Sequence, residues 1–415
     1  MFKTLFTRPH TLVRHRTAPY ADSRRCFLRQ CSEQGYSLSS LQRIAWVLLI
    51  ISQSIDLSRS DRVSRQDIEF AVDHRIRLYK RPNRVAESKK SRMFLIRVAT
   101  EWFRFLGVLE ESQRKQKPFE HYVESFINFM RDERGLASAT ISFRENQVIK
   151  FLEHIQNTLD SLSEISILDV DAYIAYQGCH GWSRRSLHTL VDALRNFFSY
   201  TESKKWTRSG IAAAINAPRI YSQEGIPLGP TWDEVKQIVA SFSPERAADI
   251  RDRAIVLLLA VYGLRSGEVS KLCLEDIDWI GETLHVTRPK QRCTQLYPLD
   301  RQVGDAIVHY LKKVRPQCSY RQLFLTINAP VRPLGSKSIA PIVRSRLDAL
   351  GIKLPRRGAH CLRHACARHL LDAGFSLKQI GDQLGHRSTE ATREYVKVDL
   401  VGLRQVAEIN LEDLL

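Results

Sequence analysis

Between Thr207 and Pro230 the chain carries Gly210, Pro218, Gly225, Pro227, Gly229 and Pro230. No regular element runs through such a cluster, because proline withholds an N–H and fixes φ, while glycine leaves the backbone unconstrained. The cluster ends at Thr231-x-x-Glu234, a spacing that lets each side chain cap a free backbone donor of the other and so opens a helix. The chain therefore folds as at least two bodies, one ending near Trp206 and one starting at Thr231. Its 415 residues leave room for a third, since single cores stop growing at about 250–300 residues. A second break, Glu-Glu-Ser-Gln-Arg-Lys-Gln-Lys-Pro from Glu110 to Pro118, divides the first body. The expected organisation is a basic helical N-terminal domain over residues 1–115, a second helical domain over 116–206, a linker over 207–230 and a third domain over 231–415 that ends in a tail.

Apolar spacing of three and four residues dominates. In the first segment it covers Leu41 to Ser54 and Arg92 to Leu109, where Phe94, Leu95, Val98, Trp102 and Phe105 share a stripe that reads as core. The middle segment reads as about four helices. Phe119, Tyr122, Phe126, Phe129 and Met130 form one stripe, and Ile141, Val148, Phe151, Leu152 and Ile155 a second. A short helix over Ile167 to Tyr176 and a long one over Ser183 to Lys204 follow. The long helix turns Arg184, Arg185 and His188 away from its apolar side, toward solvent or a polyanion. In the last segment Thr283 to Thr287 and Thr294 to Leu299 alternate as strands and form a hairpin across Arg288 to Cys293. Helices are predicted over Asp249 to Tyr262, Arg301 to Val314, Pro341 to Leu350, Leu362 to Ala373 and Leu377 to Leu384. The fold class is mainly α and multidomain, with two helical domains before a mixed α+β domain that carries a small antiparallel sheet.

Charge narrows the function. The formal net charge is +18, and residues 1–115 hold 23 Lys and Arg against 11 Asp and Glu, a surplus of twelve. A surplus of that size calls for a polyanionic partner, and nucleic acid is the obvious one. The longest apolar runs, Ile44 to Ile51 and Ala254 to Leu264, fall short of the roughly 20 residues a membrane span needs. The first twenty residues carry Lys3, Arg8, Arg14 and Arg16 and no acid, but no apolar segment with a cleavage site. A basic arm is the plain reading, and an organelle transit peptide the alternative. Eight cysteines lie scattered without a Cys-x-x-Cys pair, as expected for reduced thiols in the cytoplasm, where a nucleoid-associated protein would sit.

Polar groups then interrupt the apolar helices in one region. Arg265 and Glu268 follow the Asp249 to Tyr262 helix in Tyr-Gly-Leu-Arg-Ser-Gly-Glu. His360-Cys-Leu-Arg363-His364 opens another helix, Leu384-Gly-His386 closes the next, and Tyr395 lies nine residues on. Singly, each has an ordinary reading: a surface ion pair for Arg265, a helix end for His386, a half-buried aromatic for Tyr395. Together, two arginines, two histidines, the hairpin's Lys290 and a tyrosine point to phosphate chemistry without a metal. Guanidinium groups grip phosphoryl oxygens, and a tyrosine forms a covalent intermediate where the leaving group receives a proton.

In these residues and their order the last segment resembles the catalytic domain of the tyrosine recombinases, the phage-integrase-type site-specific DNA recombinases. The middle segment resembles their helical core-binding domain, so the likeness spans about Pro118 to Leu400. The resemblance implies that Tyr395 joins a DNA 3′-phosphate and frees a 5′-hydroxyl, while Arg265 and Arg363 hold the non-bridging oxygens. It makes Lys290 the acid to the leaving oxygen, His360 an acid, base and positioning group, His386 a donor to the phosphate and Glu268 a support. The hairpin departs from the family pattern, because Pro289 and Gln291 stand where glycines are common. Arg288 and Arg292 are then further phosphate contacts, and Arg184, Arg185 and His188 further DNA contacts. No cofactor or metal is expected.

The implied partners are double-stranded DNA, three further copies of the chain in a tetrameric synapse, and sister recombinases. After Tyr395, Leu400 to Leu415 form an apolar tail whose plain reading is folding back on its own domain, while the resemblance implies docking on a neighbouring copy. The extra N-terminal domain favours a mobile-element enzyme that integrates or transposes DNA. Two rival readings stand beside it: a DNA-binding protein of the same ancestry that does not cut, and a type IB topoisomerase-like enzyme.

Overall fold

A computed structural model of the chain describes residues 1–55, 62–78, 89–110, 119–156, 159, 161–220, 229–288 and 293–385. Its contacts gather into two units, Met1–Leu109 with Gly225–Leu415, and Glu110–Glu224.

Within the first unit, the N-terminal part is helical and holds its own apolar core. The Leu38–Ser54 helix starts where Ser37 accepts the Ser40 N–H at 3.3 Å, a serine cap of the ordinary kind. It packs Leu48 and Ile51 against Ala99, Trp102 and Phe103 of the Lys89–Phe105 helix. Of the stripe predicted there, Leu95, Val98 and Trp102 are buried, but Phe105 is exposed. Arg24 is fully buried, and its Nε and Nη2 donate to the carbonyls of His15, Ala18 and Pro19, each at 2.9 Å. The Val331 N–H donates to the Gln34 carbonyl at 3.3 Å, joining this part to the C-terminal part of the same unit.

The C-terminal part begins with the predicted cap. Thr231 accepts the Glu234 N–H at 3.2 Å and Glu234 accepts the Thr231 N–H at 2.7 Å, opening the Trp232–Ala240 helix. The predicted helices follow within a few residues of their expected bounds: Ala247–Val261, Arg301–Lys313, Ile339–Ala349, Ala359–Asp372 and Leu377–Leu384. The predicted hairpin is the larger part of a three-stranded antiparallel sheet, β1 (Ile277–Asp278), β2 (Thr283–Arg288) and β3 (Cys293–Pro298), in that order. β1 is only two residues long, too short for any sequence period to register. Leu284 faces Tyr297 and Arg288 faces Cys293 across β2 and β3.

The second unit is a helical bundle of Glu120–Asn128, Ser138–Ile155, Ile167–Cys179 and Arg184–Ser203, around Phe126, Phe151, Leu190, Phe197 and Phe198. The stretch read as linker does not leave this core at once. Gly210 turns the chain at φ +97°, the Glu202 carboxylate accepts the Ala212 N–H at 2.7 Å, and Ile211, Ala212 and Ile215 are buried in the bundle. Among the described residues no helix is long and apolar enough to cross a membrane.

Candidate active site

The site starts where an apolar helix is broken. Ala247–Val261 ends against Gly263, whose φ of +60° is left-handed and where a Cβ would come within 2.3 Å of the Leu384 side chain, which would have to shift. Glycine is favoured there chiefly by the backbone conformation. The turn brings Arg265 out of the core to start the short Ser266–Val269 helix. Glu268 holds it at both ends: one carboxylate oxygen accepts the Arg265 N–H and the other the Arg265 Nη1, each at 2.8 Å. Glu268 is buried while the Arg265 side chain stays one-third exposed.

Arg363 lies on the buried side of Ala359–Asp372, 3% exposed, where it donates from Nη1 to the Gly263 carbonyl at 2.6 Å and from Nη2 to the Leu384 carbonyl at 2.7 Å. Arg265 Nη2 donates to the Gly385 carbonyl at 3.3 Å. The two arginines, 98 residues apart in sequence, thus meet at the C-terminal end of the Leu377–Leu384 helix. A helix C-terminus carries about half a negative charge, which favours cations there.

His360 is exposed on the first turn of the same helix as Arg363, its ring centroid 6.5 Å from that of His364. His364 is half-buried, and burial first, then the charges of His360, Arg363 and Arg356, push its pKa down to about 4. It is a neutral ring near pH 7. The chain at Gly229 lies so close to this helix that a Cβ would meet the Cys361 carbonyl at 2.5 Å.

Arg288 corrects the sequence reading. Expected as a phosphate contact, it is only 1% exposed and lies on the inward face of the sheet, with its guanidinium turned onto protein acceptors. The reason is the strand's period of two: Leu284, Val286 and Arg288 occupy one face of β2, and all three are buried. The guanidinium donates to the Leu384 carbonyl and to the Tyr297 hydroxyl, and its Nη1 lies 3.7 Å from Glu268. Sequence reasoning missed Tyr297 altogether. The alternation of β2 and the register that sets Tyr297 beside Leu284 are the signals that mark both residues as inward-facing.

Three guanidinium groups and one carboxylate therefore meet around one helix end, a local excess of positive charge suited to an anion. Lys290, Arg292, His386, Tyr395 and the tail from Leu403 to Leu415 lie outside the described residues. Arg184 and Arg185 are exposed at the start of the Arg184–Ser203 helix of the second unit, and His188 lies 3.3 Å from Asp192. Among the described residues no group of three His, Cys, Asp or Glu side chains is placed to hold a metal ion.

Comparison with known proteins follows the same division. Residues 231–400 match the phage integrase family, and residues 123–205 match the phage integrase N-terminal SAM-like domain. A putative integrase/recombinase, y4rA of Sinorhizobium fredii, is 35% identical over 305 residues, covering 72% of this chain and 74% of that protein. The tyrosine recombinase XerC of Thermodesulfovibrio yellowstonii is 27% identical, covering 69% of this chain and 95% of that protein. Among solved structures, the XerH site-specific recombinase bound to its palindromic difH substrate, in a post-cleavage complex, superposes with a TM-score of 0.55. It is 18% identical and covers 72% of this chain and 98% of that one, a likeness of fold.

Proposed function

The chain belongs to the phage integrase family of tyrosine recombinases, and from that premise we propose that it cuts and rejoins DNA at specific sites through a 3′-phosphotyrosyl intermediate. The observation that carries the reading is the meeting of Arg265 and Arg363, held by Glu268 and by the Gly263, Leu384 and Gly385 carbonyls, at one helix end. Guanidinium groups fixed before the reaction stabilise charge on a phosphoryl group without reorganising at the moment it builds up.

In the proposed reaction the Tyr395 oxygen attacks the scissile phosphorus and the bond to the 5′-oxygen breaks. Lys290 gives that oxygen its proton, and a 5′-hydroxyl leaves. His360 positions the phosphate and takes the tyrosine's proton, and His386 donates a hydrogen bond to the phosphate. Attack by a second 5′-hydroxyl on the phosphotyrosyl bond reverses the steps and completes the exchange. Each bond broken is replaced by one of similar energy, so neither a metal nor a nucleotide is called for.

The middle domain, with Arg184, Arg185 and His188, would hold duplex DNA together with the catalytic domain and Arg292, and the surplus of charge over residues 1–115 would add affinity that falls with salt. Four copies acting on two sites, with or without sister recombinases, complete the picture. The extra domain over residues 1–115 favours a mobile-element origin.

The test is covalent trapping. The protein and its Tyr395→Phe variant are incubated, with chelator present, with nicked duplexes drawn from the DNA flanking its own gene, then run on denaturing gels. The expected result is an adduct that survives the chelator and disappears in the variant. Tight, salt-sensitive binding with no adduct would overturn cleavage in favour of binding alone. Relaxation of a supercoiled plasmid lacking those flanks would indicate topoisomerase behaviour instead.

A further inference from the structure

An α-helix ends in four carbonyls that no N–H of the helix reaches. At the end of Leu377–Leu384 a run of carbonyls is met by side chains from other elements. Gln295 Nε2 donates to the Asp382 carbonyl at 2.7 Å, the Tyr297 hydroxyl to Gln383 at 2.5 Å, Arg363 to Leu384 and Arg265 to Gly385. Arg288 alone reaches three of them, through Nη2 to Gln383 at 3.4 Å and through Nη1 to Leu384 and to Gly385, the last at 3.3 Å. It also stands beside the Glu268 carboxylate that holds Arg265.

The helix end is shaped around this side chain. Gly385 adopts φ +58°, and a Cβ there would fall 1.9 Å from Arg288 Nη1. A buried guanidinium is costly unless its donors are used, and on the inward face of β2 an aliphatic residue would match Leu284 and Val286. An arginine in that place therefore has a reason beyond packing.

We propose that Arg288 is a positioning residue for strand cleavage, which locks the end of the Leu377–Leu384 helix to the Glu268–Arg265 pair. It ties the placement of Arg265, and of the chain entering His386, to the sheet that carries the hairpin. It touches no DNA and acts through Glu268 and the three carbonyls. The kinetic part rests on the recombinase reading above, whereas the coupling rests on geometry alone.

The experiment uses the full chain with Arg288→Met and Arg288→Lys. Without DNA, hydrogen exchange of Arg288→Met is expected to rise about tenfold together over Leu377–Gly385 and Gly263–Val269, with the Ala247–Val261 helix unchanged. With the nicked flanking duplex at saturation, adduct formation is expected to slow about 100-fold, with affinity for that duplex unchanged. Arg288→Lys, which keeps the charge and part of the donor set, should recover part of the rate. Coupled loosening together with the kcat-type loss supports the proposal. Unchanged exchange overturns it, as does a wild-type rate in Arg288→Met. Absence of adduct from the wild-type chain sinks the recombinase reading instead, and exchange still decides the coupling. Should Arg288→Met fail to fold, Gly385→Ala, which pushes on the same guanidinium without removing it, must give the same joint loosening, and its absence overturns the proposal.

Discussion

The interior of the second unit and the interior around Arg363 are built by different means. In the bundle, Phe126, Phe151, Phe197 and Phe198 are fully buried and meet edge to face, at 5.4 Å for Phe126 with Phe197 and 5.8 Å for Phe151 with Phe198. Among the described residues its inward polar groups are few and uncharged, such as Ser125 with Tyr200 at 2.7 Å and Thr201 with Thr207 at 2.9 Å. Around Arg363, by contrast, Glu268, Arg288 and Arg363 are all buried and depend on one another and on backbone carbonyls. An apolar core loses energy in proportion to what is removed from it. A charged interior loses the group and also strands its partners.

The comparison is broken most severely at Arg363. Arg363→Ala leaves the Gly263 and Leu384 carbonyls without this donor, and is expected to cost about 3–5 kcal/mol in chemical denaturation and to reduce adduct formation by at least about a thousandfold. Phe197→Ala in the bundle should cost a similar ~3–5 kcal/mol, yet the rate of adduct formation per bound complex should stay near that of the parent. Equal stability losses with opposite effects on chemistry would sharpen the contrast. Loss of chemistry in both would erase it.

Acid should separate the regions next. Burial pushes His364 down to about 4, as it does His15, which stacks on Phe6 at 4.4 Å and lies near the charges of Arg24 and Arg14. Above the ordinary value of 6.5 these rings are neutral folded or unfolded. Between 6.5 and about 4 the unfolded chain takes up protons that the folded chain refuses, so stability present above 6.5 is lost as pH falls through that window. Thermal unfolding followed across it should show a falling midpoint, with a shallower slope in a His15→Gln, His364→Gln double variant. An unchanged slope would place the proton uptake elsewhere. No such contribution is expected from the bundle's phenylalanines.

The smallest effect is expected at Tyr297. Burial, opposed by Arg288, raises its hydroxyl to about 12, so it stays a donor to the Gln383 carbonyl. Tyr297→Phe should cost about 1 kcal/mol and slow adduct formation less than Arg288→Met, read by the same denaturation and trapping measurements. A larger loss than that of Arg288→Met would transfer the positioning role to the tyrosine.

Much of the fold and part of the site are legible in the amino-acid order alone. Helix bounds follow from apolar spacing, and Thr231 with Glu234 marks a helix start because capping is local, set by residues three apart. Arg265, Glu268, His360 and Arg363 stand out because charges interrupt apolar helices. Phe105 departs from its expected burial, 41% exposed although its ring lies 5.5 Å from that of Phe27.

What the sequence by itself determined is the hairpin, most helices of the last two segments, their order and the residue types able to grip a phosphate, since these depend on spacing along one strand or helix. What only the tertiary structure decided is which arginine faces outward. Arg265, Arg288 and Arg363 are chemically alike in sequence, but their fates depend on carbonyls up to 120 residues away. A buried guanidinium is costly unless acceptors meet most of its donors, and those acceptors come together here only once the helix end, the sheet and the Gly263 turn have packed.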